Sequence, residues 1–184
     1  MAEARGWYSR GYLPHFDSPE RIQHIVFRTA DSLPPHLRPD MQDVRRFSET
    51  LDGLLDTGAG ACPLAVNSAA TTVEKALLHF DGERYRLLSW CVMPNHVHAL
   101  LEQIEGARLA EIVKSWKAFT AAQINKEAGA AGRFWARDYF DRFMRDEAHL
   151  AQSVAYIENN PVNAGLCDHP SQWKFSSARR RSTG

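Results

Sequence analysis

The sequence predicts an α+β domain built on a four-stranded antiparallel sheet. Short β-branched and aromatic runs alternate with longer segments whose apolar residues recur at helical spacing, and two of the short runs are separated only by Pro94 and Asn95. Apolar residues make up 44% of the 184 residues and charged residues 24%, which is typical of a globular chain and excludes a disordered or fibrous protein. We therefore expect a single domain over residues 1–184.

The first half of the chain predicts one strand, two helices and a hairpin. Residues 22–30 form a β-branched run that follows an irregular stretch containing two prolines. Helical spacing of apolar residues predicts one helix within 36–57 and a second over 67–80. The apolar runs 85–93 and 96–103 then predict an antiparallel hairpin, because only a tight turn separates them.

The second half predicts a helix, a strand and a further helix. Residues 108–127 are amphipathic and end near Gly129, residues 133–144 are rich in aromatic side chains, and Asp146 is a candidate cap for the last helix. A basic tail follows at 174–184. This order of elements closes most simply as a ferredoxin-like sheet with helices on one face and a C-terminal helix that carries a tyrosine.

Charge and cysteine usage restrict the cellular setting. The 22 Lys and Arg residues balance 22 Asp and Glu, so the net charge of zero points to no polyanionic partner, although local clusters can still bind one. No apolar run approaches the roughly 18 residues of a membrane span, and the N-terminal residues lack a secretory signal. Three cysteines without CxxC spacing indicate reduced thiols. These features predict a cytoplasmic protein without membrane association.

His96 and His98 are the first candidate functional residues. They occupy positions i and i+2 of a predicted strand, where alternate side chains share a face, so both imidazoles point to one side of the sheet. Val97, Ala99 and Leu101 have the opposite parity and predict the buried face, which leaves the histidines on a face that needs no helical cover. The pair can bind a metal ion, although hydrogen-bonded structural histidines are the commoner meaning of this spacing.

Tyr156 and Asn160 form the second candidate pair. They are four residues apart in the last predicted helix, so the phenol and the amide lie on the same side. At about 100° per residue, Tyr156 lies roughly 130° from the centre of the stripe that includes Leu150 and Ile157, which argues against a purely structural tyrosine. Asn160 precedes Pro161, and its side chain can equally cap a new turn that begins at this proline.

Two motifs in this order resemble one known family. MPNHVH at 93–98, followed by YIENNPVNAGL at 156–166, is similar to the single-tyrosine HUH transposases and, within them, to the REP-associated tyrosine transposases of bacteria. The resemblance runs from about residue 22 to about residue 178 and leaves the stretch 57–66 unmatched. It implies a ferredoxin-like sheet that recognises palindromic hairpins of single-stranded DNA. It also implies cleavage beside the hairpin that leaves a 5′-phosphotyrosine and a free 3′-hydroxyl.

The resemblance implies a role for each candidate residue. His96 and His98 bind a divalent metal, Mg²⁺ or Mn²⁺, Tyr156 attacks the DNA, and Asn160 is the third metal ligand, where related insertion-sequence enzymes have glutamine. Because the net charge is zero, DNA contacts must come from local basic groups. The candidates are Lys114, Lys117, Arg142, Arg145, Arg179, Arg180 and Arg181. Both a monomer and a homodimer are compatible with these motifs.

These residue types suit the cleavage of a phosphodiester. A phenol with a pKa of about 10 is a poor nucleophile at neutral pH, so the phosphate must be polarised. Two neutral imidazoles and an amide leave a cation's double charge available for that purpose. Ligand type alone favours a transition metal such as Zn²⁺, and the expectation of Mg²⁺ or Mn²⁺ comes from the resemblance. Tyr139, the rival nucleophile, stands among phenylalanines and is predicted to be structural.

The sequence leaves three functions open. The first is a metal-dependent endonuclease and strand transferase for single-stranded DNA. The second is a domesticated hairpin-binding protein with little or no catalysis. The third is a metal enzyme unrelated to nucleic acids, with His24, His79 or Glu102 as a further ligand. A large distance between Tyr156 and the two histidines would favour the third.

Overall fold

The computed structural model describes residues 6–9, 14–18, 21–33, 51 and 53–183. The strands of this part of the chain are β1 (Gly6–Ser9), β2 (Pro14–Asp17), β3 (Ile22–Arg28), β4 (Tyr85–Val92), β5 (His96–Gln103) and β6 (Phe140–Phe143). The helices are α1 (Asn67–His79), α2 (Leu109–Ala128), α3 (Glu147–Asn163) and α4 (Ser177–Thr183), with 3-10 turns at Pro63–Ala65 and Pro170–Gln172. Residues 53–56 are also helical, and most of the helix predicted within 36–57 lies outside the described residues.

One antiparallel sheet organises the chain. Its four strands lie in the order β4-β5-β3-β6, which is the ferredoxin-like order, and β1 and β2 form a separate hairpin. The predicted fold class is therefore confirmed. Strand β3 is central, and its register with β5 sets Val26 opposite His98 and Arg28 opposite His96. None of the described helices has the length and apolar content to cross a membrane.

The two faces of the sheet bury different clusters. Helices α1 and α2 cover the face that carries Val97, Ala99 and Leu101, as the parity of β5 predicts. The opposite face carries a smaller apolar cluster, formed by Cys91, Met93, Leu100, Met144 and Ile157. Because Ile157 belongs to α3, the tyrosine-bearing helix packs across the face of the histidines. The expectation that this face needs no helical cover is wrong, and both histidines are fully buried.

Helix α3 is held at both ends by polar contacts. The predicted cap is confirmed, since the Asp146 carboxylate accepts a hydrogen bond of 2.7 Å from the backbone N–H of His149. Towards the other end, Glu158 accepts a hydrogen bond of 2.6 Å from the Ser177 hydroxyl and forms an ion pair with Arg181. These contacts tie the tyrosine-bearing helix to the start of α4 and thereby fix the position of Tyr156.

The helix does not break before Pro161, contrary to the turn predicted there. It continues to Asn163, and the backbone N–H of Ala164 still donates to the carbonyl of Asn160 at 2.9 Å. A proline inside a helix removes one hydrogen bond. Here Ile157, Asn160 and Pro161 are all buried, so tertiary packing outweighs this loss.

The segments around β6 also differ from the prediction. Only residues 140–143 of the predicted strand 133–144 join the sheet, while Trp135 turns into the core and makes an isolated bridge with Thr29. The hairpin of β1 and β2 was not predicted, because Pro14 lies at its second strand. His15 of this hairpin forms a buried ion pair with Asp141 of β6, a contact between residues far apart in sequence.

Candidate metal and tyrosine site

The two histidines of β5 bring their Nε2 atoms together. The Nε2 atoms of His96 and His98 lie 3.0 Å apart, with the ring planes at 82°. Two ligands at right angles around an octahedral cation with bonds of about 2.1 Å would be separated by about 3 Å. The spacing and convergence of the two imidazoles therefore suit a shared metal ion.

Asn95 orients the first of these rings. Its side-chain NH₂ donates to the carbonyls of Leu55 and Ala59, at 3.1 Å and 3.0 Å, which leaves its oxygen facing His96 Nδ1 at 2.8 Å. An amide oxygen only accepts, so His96 must carry its proton on Nδ1 and present a lone pair at Nε2. A hydrogen bond of this kind behind a ligating imidazole sets both its tautomer and its direction.

His24 stands behind the second ring. Its Nε2 lies 3.0 Å from His98 Nδ1, on the side of the ring away from His96. His24 is therefore a partner that orients His98, and not the further ligand of the third function. The other two candidates for that role are remote, because His79 lies at the end of α1 on the opposite face and Glu102 pairs with Arg86 at 3.2 Å.

Burial keeps the histidines of the site uncharged. It lowers the pKa of His96 to about 3, an effect that the amide of Asn160 partly counteracts. It lowers the pKa of His24 to about 3 as well, with smaller contributions from Arg142 and His149. The pKa of His98 lies well below its ordinary value through burial and its two histidine neighbours. Neutral imidazoles keep the lone pairs that a cation needs.

Tyr156 lies beside these histidines in the same chain. Its ring centroid is 5.9 Å from that of His98 and 6.3 Å from that of His24. The side chain is 36% exposed, whereas the next residue, Ile157, is fully buried and anchors the helix. The phenol is thus positioned at the edge of the site, where it is accessible from solvent.

Asn160 completes the group one helical turn further on. It is fully buried and close enough to His96 to raise the pKa of that ring, but neither its oxygen nor its nitrogen makes a hydrogen bond of ordinary geometry with the residues that the structure describes. A buried amide in this state is unfavourable unless it binds something else. The described ranges contain no group of three or more His, Cys, Asp and Glu side chains arranged to hold a metal. The donor set fits a divalent cation only when this amide is included.

Asp56 also reaches this site, from the helical residues 53–56. Its Oδ1 lies 3.8 Å from His96 Nε2, and burial raises the pKa of its carboxyl group to about 6. Sequence analysis missed both Asp56 and Asn95. The position of Asn95 directly before His96 is a signal that could have identified it. Asp56 carries no such signal, because it is 40 residues away in sequence and only the fold brings it near.

The candidate DNA-binding residues fall into separate groups. Arg142 lies opposite His24 in the pairing of β3 with β6, which brings it close to the tyrosine site, whereas Arg145 is exposed just before α3, about three helical turns from Tyr156. Lys114 and Lys117 belong to α2, which covers the opposite face. Lys117 is held further by hydrogen bonds of 2.8 Å from its Nζ to two backbone carbonyls.

The arginines of the basic tail lie on α4, next to strand β4. Arg179 donates to the carbonyl of Ser171 at 3.4 Å, Arg180 lies over the Trp90 ring at 6.0 Å, and Arg181 pairs with Glu158. They are exposed but are engaged within the chain. The structure therefore brings Arg142 close to the site, joins Arg181 to Glu158 of α3, and leaves Arg145 and the lysines further away.

Tyr139, the rival nucleophile, is not at this site. It is 8% exposed, and its ring stacks on His15 at 4.4 Å between centroids. This is the structural role that its sequence context predicts.

Comparison with known proteins shows similarity to one family of transposases. Residues 71–160, which include both histidines, Tyr156 and Asn160, match the family described as transposase IS200 like. A Haemophilus influenzae protein named for the REP-associated tyrosine transposases is 23% identical over 128 residues, covering 62% of this chain and 69% of that protein. An uncharacterised protein of the same species is 26% identical over 99 residues, covering 42% of this chain and 54% of that protein.

A solved structure supports the same fold. A REP-associated tyrosine transposase bound to a REP hairpin superposes with a TM-score of 0.57 at 17% identity, covering 100% of this chain and 86% of that one. The resemblance stated from MPNHVH and YIENNPVNAGL is therefore confirmed: residues 71–160 match the IS200-like transposase model, and the chain is similar to a REP-associated tyrosine transposase.

Proposed function

We propose that the protein is a metal-dependent endonuclease and strand transferase for single-stranded DNA, which acts at palindromic hairpin repeats through a 5′-phosphotyrosine intermediate. One observation carries this proposal: the Tyr156 ring, the paired Nε2 atoms of His96 and His98 and the unpaired amide of Asn160 belong to one site between β5 and α3. The match of residues 71–160 to a transposase family supports DNA cleavage and joining. The hairpin-bound relative supports a hairpin as the DNA partner.

His96 Nε2, His98 Nε2 and Asn160 Oδ1 are the atoms that would hold the cation. A divalent ion at this position supplies positive charge that polarises the scissile phosphate and stabilises the leaving 3′-oxygen. All three donors are neutral, so they leave that charge largely intact. A mixed set of nitrogen and oxygen donors is compatible with Mn²⁺, and the family resemblance extends the expectation to Mg²⁺.

Tyr156 would supply the nucleophile. Its oxygen forms a bond to phosphorus while the bond from phosphorus to the 3′-oxygen breaks, so the phenol loses a proton and the departing 3′-oxygen gains one. The phosphotyrosine keeps the energy of the broken linkage. A 3′-hydroxyl from another strand can therefore attack it and rejoin the DNA without ATP.

Arg142 is the basic residue that we propose to contact the DNA backbone near the reacting phosphate, and Arg145 is proposed to contact the strand further along α3. A phosphate contact by arginine positions the strand without reading its sequence. Lys114 and the arginines of α4 are proposed only as peripheral contacts with the hairpin. Lys117 is the weakest candidate, because its ammonium group already bonds the carbonyls of residues 136 and 137.

The test is covalent capture of DNA. A hairpin oligonucleotide labelled at its 3′ end should become attached to the wild-type protein in the presence of Mn²⁺, because the fragment with the 5′-phosphate stays on the tyrosine. Tyr156→Phe and addition of EDTA should each abolish the labelled adduct, whereas Tyr139→Phe, the matched control, should retain it. An adduct that persists in Tyr156→Phe would refute the assigned nucleophile. Hairpin binding without any adduct would instead favour the non-catalytic hairpin-binding protein.

A second experiment tests whether the tyrosine and the metal ligands of one active site come from the same chain. Tyr156 and the histidines lie within contact range in a single chain, so we expect catalysis in cis. A mixture of Tyr156→Phe and His98→Ala should then form no adduct. Restored adduct formation in that mixture would indicate a tyrosine that serves a partner subunit.

A further inference from the structure

The carboxylate of Asp56 faces the donor atoms, and the roles above leave it unused. Its Oδ1 lies 3.8 Å from His96 Nε2, the atom that also faces His98. This oxygen is buried and has no hydrogen-bond partner within the described part of the chain, although the side chain as a whole is 21% exposed. A buried carboxylate oxygen without a partner is unfavourable, so this position favours a cation or a hydrogen-bond donor beside it.

His96 cannot provide that compensation. The side-chain oxygen of Asn95 accepts a hydrogen bond from the Nδ1–H of His96, so Nε2 of the same ring presents a lone pair towards the site. Asp56 Oδ1 and His96 Nε2 are therefore two acceptors that face each other. The unpaired oxygen of Asn160 adds a third acceptor from α3. Lone pairs that converge in this way are the arrangement expected around a cation and its water ligands.

We propose that Asp56 is an acidic partner of the cation held by His96, His98 and Asn160, and that it binds this cation through one of its water ligands. The inference rests on the proposed function. Direct octahedral ligands of Mg²⁺ are about 3 Å apart at right angles and about 4.2 Å apart when opposite, so the 3.8 Å between Asp56 Oδ1 and His96 Nε2 fits neither direct position. Mg²⁺ keeps several water ligands in proteins, and a carboxylate is a strong acceptor for them.

This role also addresses the choice of metal. Two imidazoles by themselves favour transition metals such as Zn²⁺. A carboxylate adds the oxygen and the negative charge that Mg²⁺ and Mn²⁺ prefer. Because Asp56 acts through water, the ligands bound directly to the cation stay neutral.

The test measures metal binding in the absence of DNA. Mn²⁺ is titrated into the metal-free full chain while the EPR signal of free Mn²⁺ is recorded. Asp56→Asn, which keeps the shape of the side chain, should weaken Mn²⁺ binding about 10- to 100-fold, as loss of an outer partner does at other metal sites. Glu111→Gln removes the same charge from the exposed surface of α2 and should change the affinity by less than about twofold.

The outcomes separate this inference from the proposed function. Equal Mn²⁺ affinity in Asp56→Asn and wild type overturns the role of Asp56, even if Tyr156→Phe still loses the DNA adduct and the proposed function stands. A wild-type protein that neither binds Mn²⁺ nor forms an adduct overturns both. If near-UV circular dichroism shows that Asp56→Asn is misfolded, Asp56→Glu decides, because it retains the carboxylate. It should then bind Mn²⁺ within about tenfold of wild type, and a larger loss counts against the proposal.

Discussion

Acid should destabilise the metal-free protein, because its buried histidines cannot bind protons without unfolding. Burial lowers the pKa of His24 and of His96 to about 3, against 6.5 for an ordinary histidine. Between these values the unfolded chain binds more protons than the folded one, so the free energy of unfolding falls as the pH falls. The stabilisation is complete above about pH 6.5 and is lost progressively towards pH 3.

The size of this loss of unfolding free energy follows from how far the pH lies below the pKa of histidine in the unfolded chain. At about pH 5 the solution is roughly 1.5 units below the unfolded pKa and still above the folded one. Each of these two histidines should therefore subtract about 2 kcal/mol from the free energy of unfolding relative to about pH 7.5. Asp56 acts in the opposite direction, because its pKa is raised to about 6 and its charged form is disfavoured in the fold.

A comparison with one variant isolates the histidine contribution. Urea unfolding is measured in EDTA at both pH values for the wild type and for His24→Gln, which removes a titrating ring outside the proposed ligand set. Groups common to both proteins cancel, so the variant should lose about 2 kcal/mol less on acidification. If acidification lowers the free energy of unfolding equally in both proteins, His24 binds its proton in the folded state as it does in the unfolded chain. The reasoning from burial is then refuted.

Three further predictions concern packing, capping and DNA. Ile157→Ala should lower the free energy of unfolding by about 2–5 kcal/mol and Ile157→Val by about 0.5–1.5 kcal/mol in urea, and two equally small effects would contradict its burial. Asp146→Ala should cost about 1 kcal/mol in the same assay and Asp146→Asn clearly less, since asparagine also caps helices. Arg142→Ala should reduce the slope of log hairpin affinity against log salt concentration by about 1. An equal reduction in Lys117→Ala would contradict the inference that its internal hydrogen bonds keep this lysine from the DNA.

Local patterns in the sequence were sufficient for most of the helices and strands and for four of the residues at the site. Alternation along β5 predicts that His96 and His98 share a face, because side chains of a strand alternate wherever the strand lies. The spacing of four residues predicts that Tyr156 and Asn160 share one side of a helix. These are properties of neighbouring residues in one element, so no knowledge of the rest of the chain is required. The MPNHVH motif and the tyrosine motif then indicated the family.

Only the tertiary structure decided how these elements meet. Helix α3 crosses the face of the histidines and buries them, and that contact depends on Ile157 packing against residues of β4 and β5. His24 and His98 are 74 residues apart in sequence, and Asp56 reaches His96 from a helical segment that precedes the sheet pairing. Contacts of this kind depend on burial and register summed over the whole chain, and no local periodicity encodes them. The sequence thus determined which donors exist, and the fold decided which of them converge on one point.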